Sequence, residues 1–304
     1  MITGKTIQIP ASTTNLGAGF DTLGLALKLF LRVEIQESAQ TRTEILLDGE
    51  GAQELPASEE NLIVQVMRRI FEEEGEALPS VRMRIFNQIP LARGLGSSAA
   101  AIVAGIGCFE AITGQDLEPN KFFRYALEFE NHPDNLAAAR YGGFTISAMG
   151  GRDQITFFRS TMSPHFQILL VVPDFQLQTQ RARAVIPRSL SLHDAIFNIQ
   201  RSSLTVAALL RNEFHLLREG LCDKIHQRYR SPLIPGLEEI LCLQEAGIHG
   251  LLGICLSGAG PSILAFVESD LSEIWQRIEA IFKKNQIRSQ PYTLEIDNQG
   301  RTIC

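Results

Sequence analysis

A strand, a glycine-rich loop and a helix follow one another between Val81 and Phe109, and this succession constrains the fold more than any other stretch. Apolar and basic residues alternate from Val81 to Ile85, the period of a half-buried strand. The loop then reads P-L-A-R-G-L-G-S-S from Pro90 and runs into an alanine-rich apolar segment without proline. We predict a strand that feeds the loop, and a helix that begins with a serine hydroxyl at its cap.

The chemistry of such a loop favours an anion. A glycine-rich turn directly before a helix exposes backbone N–H groups and the positive end of the helix dipole at one point, which suits a phosphate. No lysine follows Gly96, so the loop is not the G-x-x-x-x-G-K-[ST] phosphate loop. The charge of a phosphate must then be neutralised elsewhere, and a metal ion is the expected source. The alternative is a purely structural turn whose small residues permit tight packing.

The loop resembles the second motif, P-x-x-x-G-L-G-S-S-A, of the GHMP kinase family (galacto-, homoserine, mevalonate and phosphomevalonate kinases). Two more stretches, Pro10 to Leu27 and Gly253 to Ser262, are similar to its first and third motifs, and the details resemble the homoserine kinases most. The resemblance implies an ATP site on the second motif. Its expected residues are Pro90, Leu91, Ala92, Arg93, Gly94, Leu95, Gly96, Ser97, Ser98, Ala99 and Ala100. It also implies that the third-motif loop, with Ser257, Gly258 and Gly260, packs close to the phosphate loop.

The first motif is rich in small and turn-forming residues. We predict that a first strand at Ile7 and Ile9 ends at Pro10 and that an ordered loop continues to Asp21. By resemblance, Asn15 and Asp21 contact the acceptor substrate, and a carboxylate at Asp21 can accept hydrogen bonds from an ammonium group. The alternative is that both residues only cap turns.

The densest polar cluster beside apolar sequence is E-F-E-N-H-P-D-N, from Glu128 to Asn135. We predict a helix over about 120–130 before it. The resemblance implies that Glu128, together with Ser98, binds Mg²⁺, with Glu130 as the competing assignment. Residues two apart on a helix cannot share a face, so one of these two glutamates is expected to be a solvated surface charge.

The same resemblance places His132, Asp134 and Asn135 in the acceptor pocket. A zinc site is disfavoured, because hydrolytic zinc sites need two or three well-placed histidines and only His132 is present. The catalytic candidates are Asn135, Asp134 and Ser98. Whether Asp134 acts as a general base stays open, because phosphoryl transfer can rely on positioning and charge neutralisation alone.

Arginines supply the expected partner for an acceptor carboxylate, since a planar guanidinium can pair with a carboxylate through two parallel bonds. The resemblance matches Thr179 and Arg183, four residues apart, and Arg230 to substrate-binding positions. Arg181 leaves open which arginine of the T-Q-R-A-R run points inward. For each arginine alone, the alternative is a solvated surface charge.

The 304 residues suffice for two domains, and we place them at 1–162 and 163–304. The resemblance implies an α+β architecture, with an N-terminal ATP-binding domain like ribosomal protein S5 domain 2 and a C-terminal domain with a ferredoxin-like sheet.

A formal net charge of −6 without a long basic block argues against nucleic acid as a partner. No apolar run is long enough to cross a membrane and no secretory signal is visible, so the cytoplasm is expected. The five cysteines are odd in number and widely spaced, which disfavours a disulfide framework.

These features together predict a kinase that uses ATP and Mg²⁺ to phosphorylate the side-chain hydroxyl of L-homoserine. Homoserine requires both a cation and an anion partner, and Asp21 with two arginines offers both. The alternatives are a GHMP kinase for another small alcohol, such as mevalonate or a sugar, and a nucleotide-binding regulator of the same fold without turnover. A homodimer is compatible with either reading.

Overall fold

The computed structural model describes residues 4–38, 43–150 and 154–304. The prediction about a targeting segment concerns in part residues 1–3, which lie outside this description. The strands are β1 (Lys5–Thr14), β2 (Leu23–Glu37), β3 (Glu44–Gly49), β4 (Val81–Asn87), β5 (Phe144–Met149), β6 (Ile155–Ser160), β7 (Gln167–Pro173), β8 (Leu251–Leu256), β9 (Ile263–Val267), β10 (Ser289–Leu294) and β11 (Thr302–Ile303). The helices are α1 (Leu62–Glu73), α2 (Ser97–Thr113), α3 (Pro119–Ala126), α4 (Pro133–Tyr141), α5 (Thr179–Ala184), α6 (Leu192–Arg211), α7 (Leu217–Gly220), α8 (Gln227–Arg230), α9 (Leu237–Leu241) and α10 (Ser272–Lys284).

The first sheet is mixed and carries the phosphate-loop helix. Its strand order is β11-β1-β2-β4-β3, with β5 and β6 attached through β2. The strand pattern of 81–87 arises because Val81, Met83 and Ile85 face the core, where they are buried. Helix α2 packs against β1 and α1 in the same core, which requires the small and apolar side chains that follow Gly96. The predicted strand, loop and helix are all present.

The second sheet is antiparallel with the order β10-β7-β9-β8. Along the chain its elements succeed one another as strand, helices α5–α9, two strands, helix α10 and strand. This is the β-α-β-β-α-β succession of the ferredoxin-like arrangement. The predicted α+β class in two parts is therefore confirmed, and the continuous apolar run of β7 lies inside the sheet, as expected for a buried strand.

Two predicted boundaries are wrong. Strand β1 does not stop at Pro10 but continues to Thr14, because its register against β2 shifts between Pro10 and Ala11. A bulge is one of the places where a strand tolerates the missing N–H of proline. Helix α3 ends at Ala126 instead of near Glu130, and a turn carries the chain on to α4.

The end of the chain returns to the first sheet. Ile296 forms a bridge with Leu27, and β11 pairs with β1 through Ile7 and Ile303. Between them Arg301 is buried and forms an ion pair with Glu110 of α2. The division at 162/163 separates β6 from β7 and stays a prediction, while this C-terminal tail lies with the strands of the first part.

Candidate active site

The phosphate loop ends in a helix N-terminus without a side-chain cap. The cap residue of α2 is Gly96, with φ +68°, and it makes no side-chain capping bond to the first turn. The prediction of a serine cap is therefore wrong, because Ser97 and Ser98 are the first two helical residues. The first N–H groups of a helix have no intrahelical acceptor, so these donors remain available to a ligand.

These donors face a cavity of about 280 Å³ between the two sheets. The cavity also contains most of the polar residues that the sequence singled out. Its lining comprises Thr14, Asn15, Ala92, Arg93, Gly94, Leu95, Gly96, Ser97, Ser98, Ala99, Glu130, His132, Asp134, Asn135, Gln178, Thr179, Arg183, Arg230, Gly258 and Ala259. Of the eleven residues expected at the phosphates, Pro90, Leu91 and Ala100 are outside this lining.

The third-motif loop holds the phosphate loop from the other side. Ser257 Oγ donates to the carbonyl oxygen of Gly94 at 2.8 Å and lies 2.8 Å from Thr13 Oγ1. A side chain at Gly94 would lie within 2.1 Å of the Ser257 carbonyl oxygen, so only glycine fits where the two loops meet. The expected contact between the second and third motifs is present.

The first motif brings the carboxylate of Asp21, which is outside the lining itself, against two residues that line the cavity, Arg183 and His132. Arg183 donates to Asp21 through Nη1 at 3.1 Å and Nη2 at 2.6 Å, and His132 Nε2 lies 3.4 Å from the same carboxylate. The amide of Asn15 accepts from the backbone N–H of Asp21 at 3.0 Å and donates to the Gly258 carbonyl at 2.8 Å. Arg183 lines the cavity, whereas Arg181 is exposed.

Arg230 is a buried cation without a carboxylate partner in the described part of the chain. Its Nε donates to the Ala182 carbonyl at 3.1 Å, and its Nη1 donates to the Gly258 carbonyl at 3.0 Å. Burial, reinforced by the charge of Arg183, lowers its pKa to about 10. A charged guanidinium in this position is stabilised by an anion, and a substrate carboxylate would supply one.

Three residues that the sequence analysis did not select position Arg230. His226 is fully buried, and its Nε2 must donate to the Gly17 carbonyl, 2.9 Å away, because a carbonyl only accepts. Its Nδ1 then accepts from Arg230 Nη1 at 3.0 Å. Burial keeps the pKa of His226 below its ordinary value, which agrees with a neutral ring. Phe20 stacks on His226, and the carboxylate of Asp223 accepts a hydrogen bond from the backbone N–H of His226 at 2.8 Å.

The two glutamates occupy different environments. Glu128 is exposed and pairs with Arg69 at 2.7 Å, so the structure does not bring it to the cavity. Glu130 lines the cavity and accepts from the Asn131 N–H at 2.8 Å. Burial raises the pKa of Glu130, but the His132 ring, 3.7 Å away, and that N–H outweigh it, so the net pKa lies below its ordinary value. Because both residues follow the end of α3, an argument from helix faces does not apply to them.

Asp134 and Asn135 begin helix α4 against β1. Asp134 is buried, and burial with the nearby charge of Asp21 raises its pKa from 3.8 to about 6. The amide of Asn135 is held by β1, since its oxygen accepts from Ser12 Oγ at 2.8 Å and its nitrogen donates to Thr14 Oγ1 at 3.2 Å. The backbone N–H of Asn135 donates to Asp134 Oδ1 at 2.7 Å.

The oxygen donors of the cavity suit an Mg²⁺ ion that substrate phosphates also bind, and not a metal ion held by protein ligands alone. Within the described ranges, no group of three or more His, Cys, Asp or Glu side chains could hold a metal ion. The cavity nevertheless presents the carboxylate of Glu130 and the exposed hydroxyl of Ser98. Mg²⁺ is commonly held by one or two such groups together with substrate phosphates.

A second cavity, of about 300 Å³, lies behind α8 and is lined in part by Cys222, Gln227, Cys242 and Gln244. The amide groups of both glutamines are hydrogen-bonded to backbone atoms. The phosphate loop and the first turn of α2 line the first cavity and not the second, so the first is the candidate active site.

Comparison with known proteins gives two family matches and many similar chains. Residues 61–143 match the model of the GHMP kinases N terminal domain, and residues 205–284 match that of the GHMP kinases C terminal domain. A homoserine kinase of Persephonella marina is 39% identical over 98% of this chain and 97% of its own. A homoserine kinase of Aquifex aeolicus is 38% identical over 97% of each chain.

Solved structures agree in fold. The crystal structure of homoserine kinase from Cytophaga hutchinsonii has a TM-score of 0.85 at 28% identity. The match covers 99% of this chain and 97% of the other. A mevalonate kinase structure has a TM-score of 0.66 at 14% identity, covering 97% and 99% of the two chains, and this likeness concerns the fold alone. None of the helices in the described ranges combines the length and apolar character needed to span a bilayer.

Proposed function

The chain belongs to the GHMP kinase family, and from this premise we propose that it transfers the γ-phosphoryl group of ATP to the side-chain hydroxyl of L-homoserine. The product would be O-phospho-L-homoserine, for threonine biosynthesis. One observation carries the proposal: an uncapped helix N-terminus lines the same cavity as Arg183 and Arg230, and Arg183 holds the Asp21 carboxylate next to it, so a phosphate site adjoins charges suited to an amino acid.

The triphosphate would lie on the N–H groups of the phosphate loop and the first turn of α2. Backbone donors and the helix dipole supply the binding, with no lysine in the loop to add charge. Arg93 lines the cavity, and its one hydrogen bond to the described residues is a 3.4 Å bond to the Leu91 carbonyl, so its guanidinium is available to a phosphate.

Mg²⁺, when bound, would neutralise charge on the phosphates, and Ser98 Oγ and Glu130 are the residues that would hold it. The position of Glu130 supports this assignment, because its side chain lines the same cavity as Ser98. Glu128, the other candidate, is engaged by Arg69.

The amino-acid end of homoserine would complete the charges around Asp21. In the described structure Asp21 and Arg183 neutralise each other, while Arg230 has no anionic partner. A zwitterion adds an ammonium group for Asp21 and a carboxylate for the two arginines, so every charge gains a partner. His132, Asn15 and Thr179 line the same region and would orient the substrate. A neutral sugar leaves Arg230 uncompensated, which favours an amino acid as the acceptor.

Asp134 is a candidate base for the proton of the acceptor hydroxyl. With a pKa of about 6, Asp134 is largely ionised at neutral pH and could accept it. Asn135, held rigidly by Ser12 and Thr14, would position the hydroxyl. A loose transition state permits turnover through positioning and charge neutralisation without a base.

The test is ADP release by the purified protein with Mg-ATP and one acceptor at a time: homoserine, mevalonate, galactose or shikimate. We expect turnover with homoserine and at least about 100-fold lower kcat/KM with the others, the size of effect produced by unpaired buried polar groups. Comparable turnover of mevalonate or galactose would assign another acceptor. Binding of ATP without turnover of any acceptor would support the regulator.

The finer expectations about partners and location remain proposals. We expect no nucleic-acid partner, in line with the net charge of −6, and a cytoplasmic location. Both are open to direct measurement.

A further inference from the structure

The ring of Phe20 contacts both arginines that face the acceptor end of the cavity. The guanidinium carbon of Arg183 lies 5.4 Å from the centre of this ring, and that of Arg230 lies 5.6 Å from it. Both distances are within the roughly 6 Å over which a cation is attracted to the face of an aromatic ring. One half-buried side chain, from the residue next to Asp21, is therefore shared by two cations.

A third group packs on the same ring. The His226 ring stacks on Phe20 with 5.2 Å between the ring centres and 24° between the planes. His226 accepts a hydrogen bond from Arg230 and is itself fixed by the carbonyl of Gly17, three residues before Phe20. The first motif thus holds Arg230 twice, directly through the Phe20 ring and indirectly through His226.

Holding the two arginines together has an electrostatic cost. Burial and the charge of Arg183 both lower the pKa of Arg230, so the two guanidinium groups repel each other. Asp21 neutralises Arg183, and no carboxylate in the described part of the chain pairs with Arg230. The face of an aromatic ring carries partial negative charge, which offsets part of this repulsion without supplying an anion that would compete with a substrate. An aliphatic side chain of similar size would fill the space but would lack this charge.

We propose, building on the function proposed above, that Phe20 positions Arg183 and Arg230 as a pair for the acceptor carboxylate, and that it thereby selects carboxylic acids over neutral acceptors. Phe20 is outside the cavity lining and acts through the two arginines, so it is a positioning residue. Without the ring, repulsion moves the guanidinium groups apart, and an acceptor carboxylate loses a paired contact that a neutral amide never makes. Removal of the ring therefore weakens the binding of an acid and leaves the binding of its amide nearly unchanged.

Phe197 of α6 offers a matched control. Its ring also receives two cations, with the guanidinium carbon of Arg201 3.8 Å and the ammonium nitrogen of Lys224 4.3 Å from its centre. Like Phe20 it is half-buried, but none of these three residues is among the described residues that line the cavity. Phe197→Leu therefore removes the same kind of contact away from the acceptor.

Steady-state kinetics with saturating Mg-ATP and either L-homoserine or its neutral amide test the proposal. For Phe20→Leu we expect KM for homoserine to rise, and the preference for the acid, measured as a ratio of kcat/KM values, to fall, each by about 3- to 10-fold. KM for ATP is expected to stay within about twofold of the wild-type value. Phe20→Tyr, which keeps the ring, and Phe197→Leu are both expected to retain the wild-type preference. An unchanged preference in Phe20→Leu, or an equal loss for the acid and the amide, overturns the proposal.

Urea unfolding without any acceptor separates this proposal from the function on which it builds. Phe20→Leu is expected to raise the unfolding constant about 3- to 10-fold more in the wild-type background than in an Arg230→Gln background, because only the first background contains the contact to be lost. Equal effects in the two backgrounds overturn the proposal even if homoserine is turned over. Failure of the wild type to turn over homoserine overturns the proposed function, and the selection of acids with it, whatever the unfolding constants are.

Discussion

Gly94→Ala tests the contact on which the candidate active site depends. Gly94 has φ +77°, and the added Cβ would lie 2.1 Å from the carbonyl oxygen of Ser257, 2.8 Å from Gly260 N and 3.0 Å from Gly260 O. All three atoms belong to backbone, so no side chain can rotate away. An ordinary contact begins at 3.4 Å, so the phosphate loop and the third-motif loop must separate by more than 1 Å.

The expected cost has two parts. A left-handed φ costs alanine about 1 kcal/mol relative to glycine. Crowding against backbone, with loss of the bond from Ser257 to Gly94, adds about 2 to 3 kcal/mol. We therefore expect the free energy of unfolding to fall by about 3 to 4 kcal/mol. A displacement of this size in a phosphate-binding loop is also expected to lower kcat/KM by about 100-fold.

Gly114→Ala separates crowding from backbone strain. Gly114 caps the other end of α2 with φ +74°, and an added Cβ there meets no atom within 4 Å. This variant is expected to lose only about 1 kcal/mol and to keep its activity. Urea unfolding and steady-state kinetics on both variants provide the comparison. A Gly94→Ala protein that loses no more stability than Gly114→Ala would refute the reasoning from close contact.

Three further predictions concern single side chains. Glu130→Gln is expected to raise the Mg²⁺ concentration for half-maximal activity by at least about tenfold, while Glu128→Gln leaves it unchanged; the reverse result would assign the metal to Glu128. Arg230→Gln is expected to raise KM for homoserine by about 10- to 100-fold with little change in KM for ATP. Arg228 is exposed on the same short helix, and Arg228→Gln is expected to change neither KM. Equal effects of Arg230→Gln on both substrates would contradict a carboxylate contact. For Asp134 the folded pKa of about 6 exceeds the ordinary value of 3.8, so as the pH falls the folded state binds the proton before the unfolded state does. Ionisation of Asp134 at higher pH therefore lowers the free energy of unfolding. The gain in stability from Asp134→Asn should accordingly be about 2 kcal/mol larger at about pH 8 than at about pH 4.5 in urea unfolding, and a gain that does not vary with pH would show that the pKa is not raised.

Local patterns predicted most of the architecture. The strand, loop and helix from Val81 to Thr113 depend on alternation, glycine and helical periodicity, all of which act over a few residues. Strands β7, β8 and β9 of the second sheet were predictable for the same reason, since each is a short apolar run, whereas β10 reads S-Q-P-Y-T-L and carries no such pattern. Prediction failed at Pro10, where β1 continues only because β2 accommodates a bulge, and that depends on a partner strand.

The residues of the site were easier to name than to place. The sequence does not reveal that Asp21 pairs with Arg183, because 162 positions separate them. The resemblance preferred Glu128 to Glu130 as the metal ligand, although Glu128 meets Arg69 of α1 and Glu130 lines the cavity.

His226 could have been noticed from its spacing, four residues before Arg230 on one helix face. Its role as a neutral acceptor depends on Gly17, from the other end of the chain.

The return of the chain end to the first sheet has a practical consequence. Because β11 completes the edge at β1 and Arg301 lies beside Glu110, a fragment cut after residue 162 would expose the edge of β1 and leave the buried Glu110 carboxylate with Arg140, 3.7 Å away, in place of its closer partner. The chain therefore leaves the first sheet after β6, forms the ferredoxin-like part, and returns with β11 to complete the sheet that carries the phosphate-loop helix. We therefore expect proteolysis or a tag at Cys304 to impair the binding of ATP before it impairs the binding of the acceptor.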